Sequence, residues 1–563
     1  MRVTGPKTEL SHLALAATLA LSTSAHAATF TWDGTANTWP SIHWFNSGNT
    51  LVAGGSSSAD SYLINGGTVS FAGNDTFGNA ATTTSPTISI GAGGTLASAG
   101  FFSTIWNLNL NSGTVALTGG VNASYPAFQF AGTLTATGTS NINVVSGGFN
   151  AINIGGTGNG TLNMNVVNAL DVLNVNAPLQ NNPSGASSLT KTGLGTLTLS
   201  GANTYTGGTT VNGGTLSLVA SGALPSGGGV AIGAGGRLSN AAPAGTSFAL
   251  NGLTLTGGEL AATSTPDVSL GNFYLNGNVT VGGSARSTIS ADLRVIANQT
   301  RDFNVGVTGD SSGVDLLISG QLGHQNNVAW GYGTKSGAGV MKLSGGNWLG
   351  GMTVSVGRLI LEDNAIGWTY PVNGLVNNSQ LEFSVTSGSR SYGANLGGSG
   401  ALFKTGNGTM TLTAANAYTG NTTTIITGTL QIGAAGTAGS ITTTSNVVNN
   451  AALVFNRTDT YGGNFTPVIS GSGSLTLANG TLTLAGANTY TGETLVNGGT
   501  VLLSGTISGA TTVNSGGTLG GSGGTAGNVT VNSGGTLSPG VNNSIGELTV
   551  WHTEFQQRGS LPF

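Results

Sequence analysis

Cysteine is absent from this 563-residue chain, and charged residues make up only 6% of it. The first absence excludes a disulfide framework and thiolate metal sites. The second leaves no run of like charge to act as an interaction tail. Net charge is −4 and the pI near 5.7, so the electrostatic footprint of a nucleic-acid binder is missing. Only His43, His324 and His552 lie beyond residue 27, which leaves few bases for acid–base chemistry. Beyond that residue no stretch has the ~18 apolar residues of a membrane-spanning helix. The succession of ~10-residue amphipathic strands that marks a membrane barrel is missing too. Almost nothing has the 3.6-residue period of a helix.

What is abundant is glycine, 98 residues of it, with no three-residue period and hence no collagen. A mean hydropathy of +0.16 with so little charge argues for a folded chain. Thr-Leu-Thr-Leu at 196–199 and 481–484 and Thr-Leu-Ser-Leu at 215–218 alternate polar and apolar residues, the period of a half-buried strand. Asn-Gly-Gly at 212–214 and 497–499 are turn signals between such strands.

These pieces recur as a cassette. Its clearest copy is KTGLGTLTLSGANTYTGGTTVNGGTLSL at 191–218; a worn second copy spans 335–361, and further copies span 404–432 and 480–503. A shorter unit, TVNSGGTL, occurs at 512–519 and again 18 residues later at 530–537. Repeats too small to bury their own apolar face need neighbours to build a core. Stacked coils place equivalent side chains ~4.8 Å apart, which penalises repeated charge and tolerates Thr and Asn. The expected fold is therefore all-β: a right-handed parallel β-helix, or β-solenoid, forming a rod. Its predicted core includes Leu197, Leu199, Val211, Leu216 and Leu218 in the first cassette. The fourth contributes Leu482, Leu484, Val496, Val501 and Leu503.

The expected organisation has four parts. Residues 1–27 read as a secretory signal peptide: Arg2 and Lys7, then an apolar run LALAATLAL, then Ala25-His26-Ala27, with cleavage before Ala28. Residues 28–50 form a Trp-rich N-terminal cap containing Trp32, Trp39 and Trp44. The solenoid runs over 51–550, and an atypical tail over 551–563 breaks the composition, as a truncation or frame change would.

At the cassettes the chain resembles the autotransporter-associated β-strand repeat. Lys191, Gly193, Gly195, Leu197, Leu199, Ser200, Gly201, Asn203, Tyr205, Gly207, Thr209, Val211, Gly214 and Leu216 carry the pattern. Asn416, Tyr418 and Gly420 carry it in the third copy, and Asn488, Tyr490 and Gly492 in the fourth; Trp348 replaces Tyr in the second. The resemblance implies a type V secretion passenger, displayed on or shed from a Gram-negative cell surface. Such passengers commonly continue into a C-terminal barrel, and this sequence departs from that pattern at Trp551.

Candidate chemistry is sparse. The stretch 292–315 concentrates Asp292, Asp302, Asp310 and Asp315 with Arg294 and Arg301. A pair of carboxyls ~5–10 Å apart on neighbouring coils could serve a polysaccharide-cleaving β-helix enzyme. Solvated charge on the coils explains the same residues. Gly309-Asp310-Ser311-Ser312-Gly313 has the form of a nucleophile motif, yet reads as a turn before an apolar strand. GGTGNG at 155–160 lacks the helix of a phosphate loop, and no calcium nonapeptide or H-E-x-x-H occurs. Trp32, Trp39 and Trp44 could form an aromatic sugar-binding patch instead of a cap. A flat Thr-rich binding face, suggested by Thr82–Thr84 and Thr442–Thr444, is a third possibility. The leading expectation is a structural or adhesive passenger, not an enzyme, needing no cofactor. Its expected partners are a host or matrix surface or cell-envelope glycans.

Overall fold

A computed structural model describes residues 29–32, 50–51, 61–71 and 87–556, apart from 99, 101, 157, 268–270, 324–330, 367–373, 421, 442–445, 466 and 541–544. The signal-peptide segment, Trp39 and Trp44, most of the cap, and both Thr runs lie outside the described residues. Two compact units are present, Met1–Leu293 and Arg294–Phe563. Each is a β-solenoid of short strands, and every interstrand ladder within the named strands is parallel. The turns number about 20 in all. Helical structure among the described residues is limited to one 3-10 turn, Asp363–Ala365.

The alternating pattern sets the core. In strand Thr196–Leu199 the leucines point inward and the threonines outward. Stacking then aligns like with like: Leu173, Leu197, Leu216, Leu238 and Leu260 form one continuous inward column in the first unit. All five are fully buried. Each buried leucine contributes roughly 1.5–3 kcal/mol. In the second unit Met341, Leu359, Leu381 and Leu402 form an equivalent column. All ten core residues expected from the two cassettes are fully buried.

The 18-residue unit is one coil. Thr512 pairs with Thr530 and Val513 with Val531, while Thr518 pairs with Thr536 and Leu519 with Leu537. Outside, asparagines stack in a ladder: Asn514 Nδ2 donates to Asn497 Oδ1 at 2.6 Å, and Asn532 Nδ2 to Asn514 Oδ1 at 2.7 Å. An amide offers a donor and an acceptor, so a column of Asn satisfies itself where a column of carboxylates would repel. Strand Leu548–Phe555 runs through Trp551 and pairs with Gly524–Val531.

One glycine of each cassette is required by the stacking. Gly214, Gly357, Gly428 and Gly499 all have φ between 58° and 73°. A Cβ on Gly214 would run into the carbonyl oxygen of Gly195, and one on Gly499 into that of Gly480. Positive φ and the close approach of the preceding coil both demand glycine.

Candidate functional site

Three cassettes carry a lysine inside the core. Lys191 stands in an inward column between Met164 and Val211, Lys335 between Phe303 and Val354, and Lys404 between Phe383 and Ile425. All three are buried. Lys191 Nζ donates to the carbonyls of Thr192 (2.7 Å), Gly193 (2.9 Å) and Gly213 (3.1 Å). Lys335 does the same with Ser336, Gly337 and Val356, and Lys404 with Thr405, Gly406 and Thr427. An ammonium has three donors, and each lysine uses three to close its own turn and tie it to the next coil. Burial pulls each of these lysines down from 10.5 to about 8.

The fourth cassette shows what the lysine is for. Leu477 occupies the equivalent position, between Phe455 and Val496, and is buried. Its turn is one residue shorter: Leu477 precedes Thr481 by four residues, where Lys191 precedes Thr196 by five. The paired threonines Thr196–Thr215 and Thr481–Thr500 keep the same register. The longer turn directs carbonyls inward that the lysine must satisfy, and the shorter turn accepts leucine.

The cassette asparagine bridges three coils. Asn203 Oδ1 accepts from Leu179 N at 2.8 Å, and its Nδ2 donates to Ala223 O at 2.6 Å. Asn416 spans Leu396 N and Ser440 O, and Asn488 spans Ile469 N and Thr506 O. The cassette tyrosine is buried and meets a buried threonine hydroxyl: Tyr205 with Thr209 and Tyr418 with Thr423 at 2.7 Å, Tyr490 with Thr494 at 2.5 Å. Burial pushes Tyr205 and Tyr490 up from 10.0.

The candidate carboxylates fall in different surroundings, except that Asp302 and Asp315 both act on Lys335. Asp292 belongs to the first unit, where its backbone N–H donates to Asn272 Oδ1 at 3.1 Å. The other three belong to the second. Asp302 Oδ2 accepts from Ser336 Oγ at 2.8 Å. Asp310 Oδ1 accepts from Ser312 N at 2.9 Å and caps the Gly309–Gly313 turn, ahead of strand Leu316–Ile318. Asp315 is buried. Its Oδ1 accepts from Thr308 N (2.6 Å) and Thr308 Oγ1 (2.7 Å), and its Oδ2 from Val340 N (2.7 Å). Burial pushes the Asp315 carboxyl up, but those hydrogen bonds and the charge of Lys335 hold it below 3.8. The charges of Asp315 and Asp302 both act on Lys335, so these two carboxylates share one neighbour. Among the described residues no group of three or more His, Asp or Glu converges as metal ligands. Trp32 ends strand Thr29–Trp32, in register with Ile64.

Two features of the second unit carry no signal in the linear sequence. Outward charges pair between coils, Lys342 with Glu362 at 2.6 Å and Arg358 with Glu382 at 2.5 Å, and the Arg358 guanidinium lies 5.0 Å from the Phe403 ring centroid. A groove of about 330 Å³ also opens on an outer sheet face. Its lining includes Thr300, Tyr332, Thr334, Gly351, Thr353, Gly374 and Val376. Register explains the dent. Thr300, Tyr332 and Gly351 share one column, and the neighbouring column runs Asp302, Thr334, Thr353, Val376. Met352 N donates to Gly374 O, so two successive coils present glycine beside the tyrosine.

Stacked parallel coils with recurrent Lys, Asn and Tyr–Thr locks define a repeat-built β-solenoid. The passenger-associated-transport-repeat family matches at 189–218, 334–361, 402–432 and 479–503, about a fifth of the chain. The chain therefore carries four passenger-associated-transport repeats, an arrangement consistent with an autotransporter passenger. No curated protein and no solved structure matches it. No helix among the described residues is long and apolar enough to cross a membrane.

Proposed function

We propose that this chain is an exported, non-catalytic β-solenoid passenger with a structural and adhesive role at a Gram-negative cell surface. The observation that carries the reading is the fate of the repeated polar residues. Lys191, Asn203, Tyr205 and their counterparts each bond to their own or adjacent coils and so build the solenoid. Repetition is accounted for by structure, and specific contact falls to outward residues that do not repeat. The four transport repeats and the N-terminal leader pattern support export. Against the polysaccharide-cleaving alternative, Asp315 has both oxygens engaged by backbone and threonine donors. The partners fitting this role are a host or matrix surface or cell-envelope glycans.

The test is expression of the full chain in a Gram-negative host, followed by N-terminal sequencing, protease shaving of intact cells and a matrix-adhesion assay. The expected result is a mature N-terminus at Ala28, with chain that is protease-accessible at the surface or found in the medium and that adheres. A leader-bearing cytoplasmic chain contradicts export. A purified chain that depolymerises a polysaccharide contradicts the non-catalytic reading.

A further inference from the structure

We propose that the groove around Tyr332 is a saccharide-binding site for a neutral, disaccharide-sized portion of a glycan; this rests on the adhesive reading above. The groove lies within the second unit. Its volume of about 330 Å³ is at the small end of the usual range for ligand sites, about 300–1,000 Å³. Among the described residues the positions beside the tyrosine on the next two coils are glycines, Gly351 and Gly374, and this leaves the dent. Gly374 is also demanded by the backbone: its φ is 66°, and a Cβ there would run into the Asn395 carbonyl.

The lining selects the ligand class. Sugars present both C–H faces and hydroxyl edges. Tyr332 offers an aromatic surface with a polar tip, and Val376 is exposed beside it. Thr300, Thr334 and Thr353 offer hydroxyls that donate and accept. Charges of both signs flank the groove without lining it, Asp302 at the head of the Thr334–Thr353 column and Arg301 Nη1 on the Thr300 carbonyl at 3.2 Å, so the lining itself is uncharged and offers an anionic sugar no anchor. A peptide added as an extra strand needs a free sheet edge, whereas this groove is on a sheet face whose strands are already paired on both sides. The three cassette tyrosines are buried in the solenoid, while Tyr332 faces outward into the dent.

The experiment uses the purified full chain with cellobiose, chitobiose and lactose as neutral probes and sialyllactose as an acidic one, read by saturation-transfer NMR and titration. Wild type is expected to bind at least one neutral probe and to bind sialyllactose more weakly. Tyr332→Ala is expected to weaken that binding roughly tenfold. The pair Thr334→Val with Thr353→Val tests the hydroxyls and is expected to weaken it likewise, while Thr512→Ala, on another coil, leaves it unchanged. Circular dichroism matching wild type shows that each variant keeps its fold. The site is overturned if wild type binds none of the neutral probes. It is equally overturned if Tyr332→Ala and the threonine pair retain full affinity. Matrix adhesion of the same variants separates the two claims. Adhesion that persists in Tyr332→Ala, with sugar binding unaffected, removes the groove and leaves the adhesive role. Groove-dependent sugar binding by a wild-type chain that does not adhere removes the adhesive role and leaves the site.

Discussion

Tyr205 and Thr209 join their hydroxyl oxygens at 2.7 Å with both side chains buried, four residues apart at a corner of the coil. Neither oxygen reaches water, so each depends on the other. Thr209→Val orphans the tyrosine hydroxyl and should destabilise the chain by about 1–3 kcal/mol. Tyr205→Phe should cost about as much through the threonine. The double variant removes both polar groups and should cost less than the sum of the singles. Urea midpoints of the three proteins check this; strict additivity contradicts it.

The asparagine bridge predicts a contrast between cassettes. Asn203→Ala loses a backbone donor partner at Leu179 and an acceptor partner at Ala223, and should cost about 2–4 kcal/mol. Asn203→Asp keeps the first bond and sets an oxygen against the Ala223 carbonyl, so it should fare no better than alanine. Among the described residues, Asn347 in the worn second cassette accepts a 3.3 Å bond from Leu349 N and its Nδ2 meets no acceptor. Asn347→Ala should shift the midpoint by less than about 1 kcal/mol. Equal costs at 203 and 347 sink the idea.

Stability should pass through an alkaline maximum. The buried lysines release their protons near 8 when folded and at 10.5 when unfolded. Between those values the unfolded chain holds more protons, so stability rises with pH. Tyr205 and Tyr490 ionise above 10.0 when folded, so above that pH the unfolded chain loses protons first and stability falls. Urea midpoints from pH 7 to 11 should climb from about 8 and turn over near 10. A monotonic fall across that range contradicts the assignment.

At the acid end Asp315 works the other way. Its folded value lies below 3.8, so its contribution is present above that pH and lost as pH falls through the folded value. Asp315→Asn places an amide against the N–H of Val340 or Thr308 and should flatten the acid limb while lowering stability at pH 7. An unchanged acid limb in that variant contradicts the prediction.

Much of the fold was readable in the chain. Thr-Leu alternation names Leu197 and Leu199 as core, and the 18-residue spacing of TVNSGGTL is one coil because nothing is inserted between 512 and 537. The lysine was visible as part of a pattern but not as a core residue, since a lysine between apolar ladder partners depends on carbonyls that only the folded turn turns inward. The charged stretch 292–315 was visible too. Which of its residues meet, as Asp302 and Asp315 do at Lys335, was not, because coil length there varies: Tyr332 pairs with Thr300, 32 residues back, and with Gly351, 19 residues on. The groove was not readable for that same reason, because Tyr332, Gly351 and Gly374 come together only through register.

The central claim is that the repeated polar residues of the cassettes serve the solenoid itself, and the exchange between Lys191 and Leu477 tests it most directly. Lys191→Leu alone strands the carbonyls of Thr192, Gly193 and Gly213 and should lower stability by about 3 kcal/mol, at roughly 1 kcal/mol for each lost bond. Replacing residues 192–195 at the same time by Ala-Asn-Gly, the turn found at 478–480, should restore most of that loss. The urea midpoint of this double change, set beside that of Lys191→Leu, is the measurement. Recovery toward wild type is the predicted result. A lysine variant as stable as wild type, or a shortened turn that recovers nothing, would contradict it.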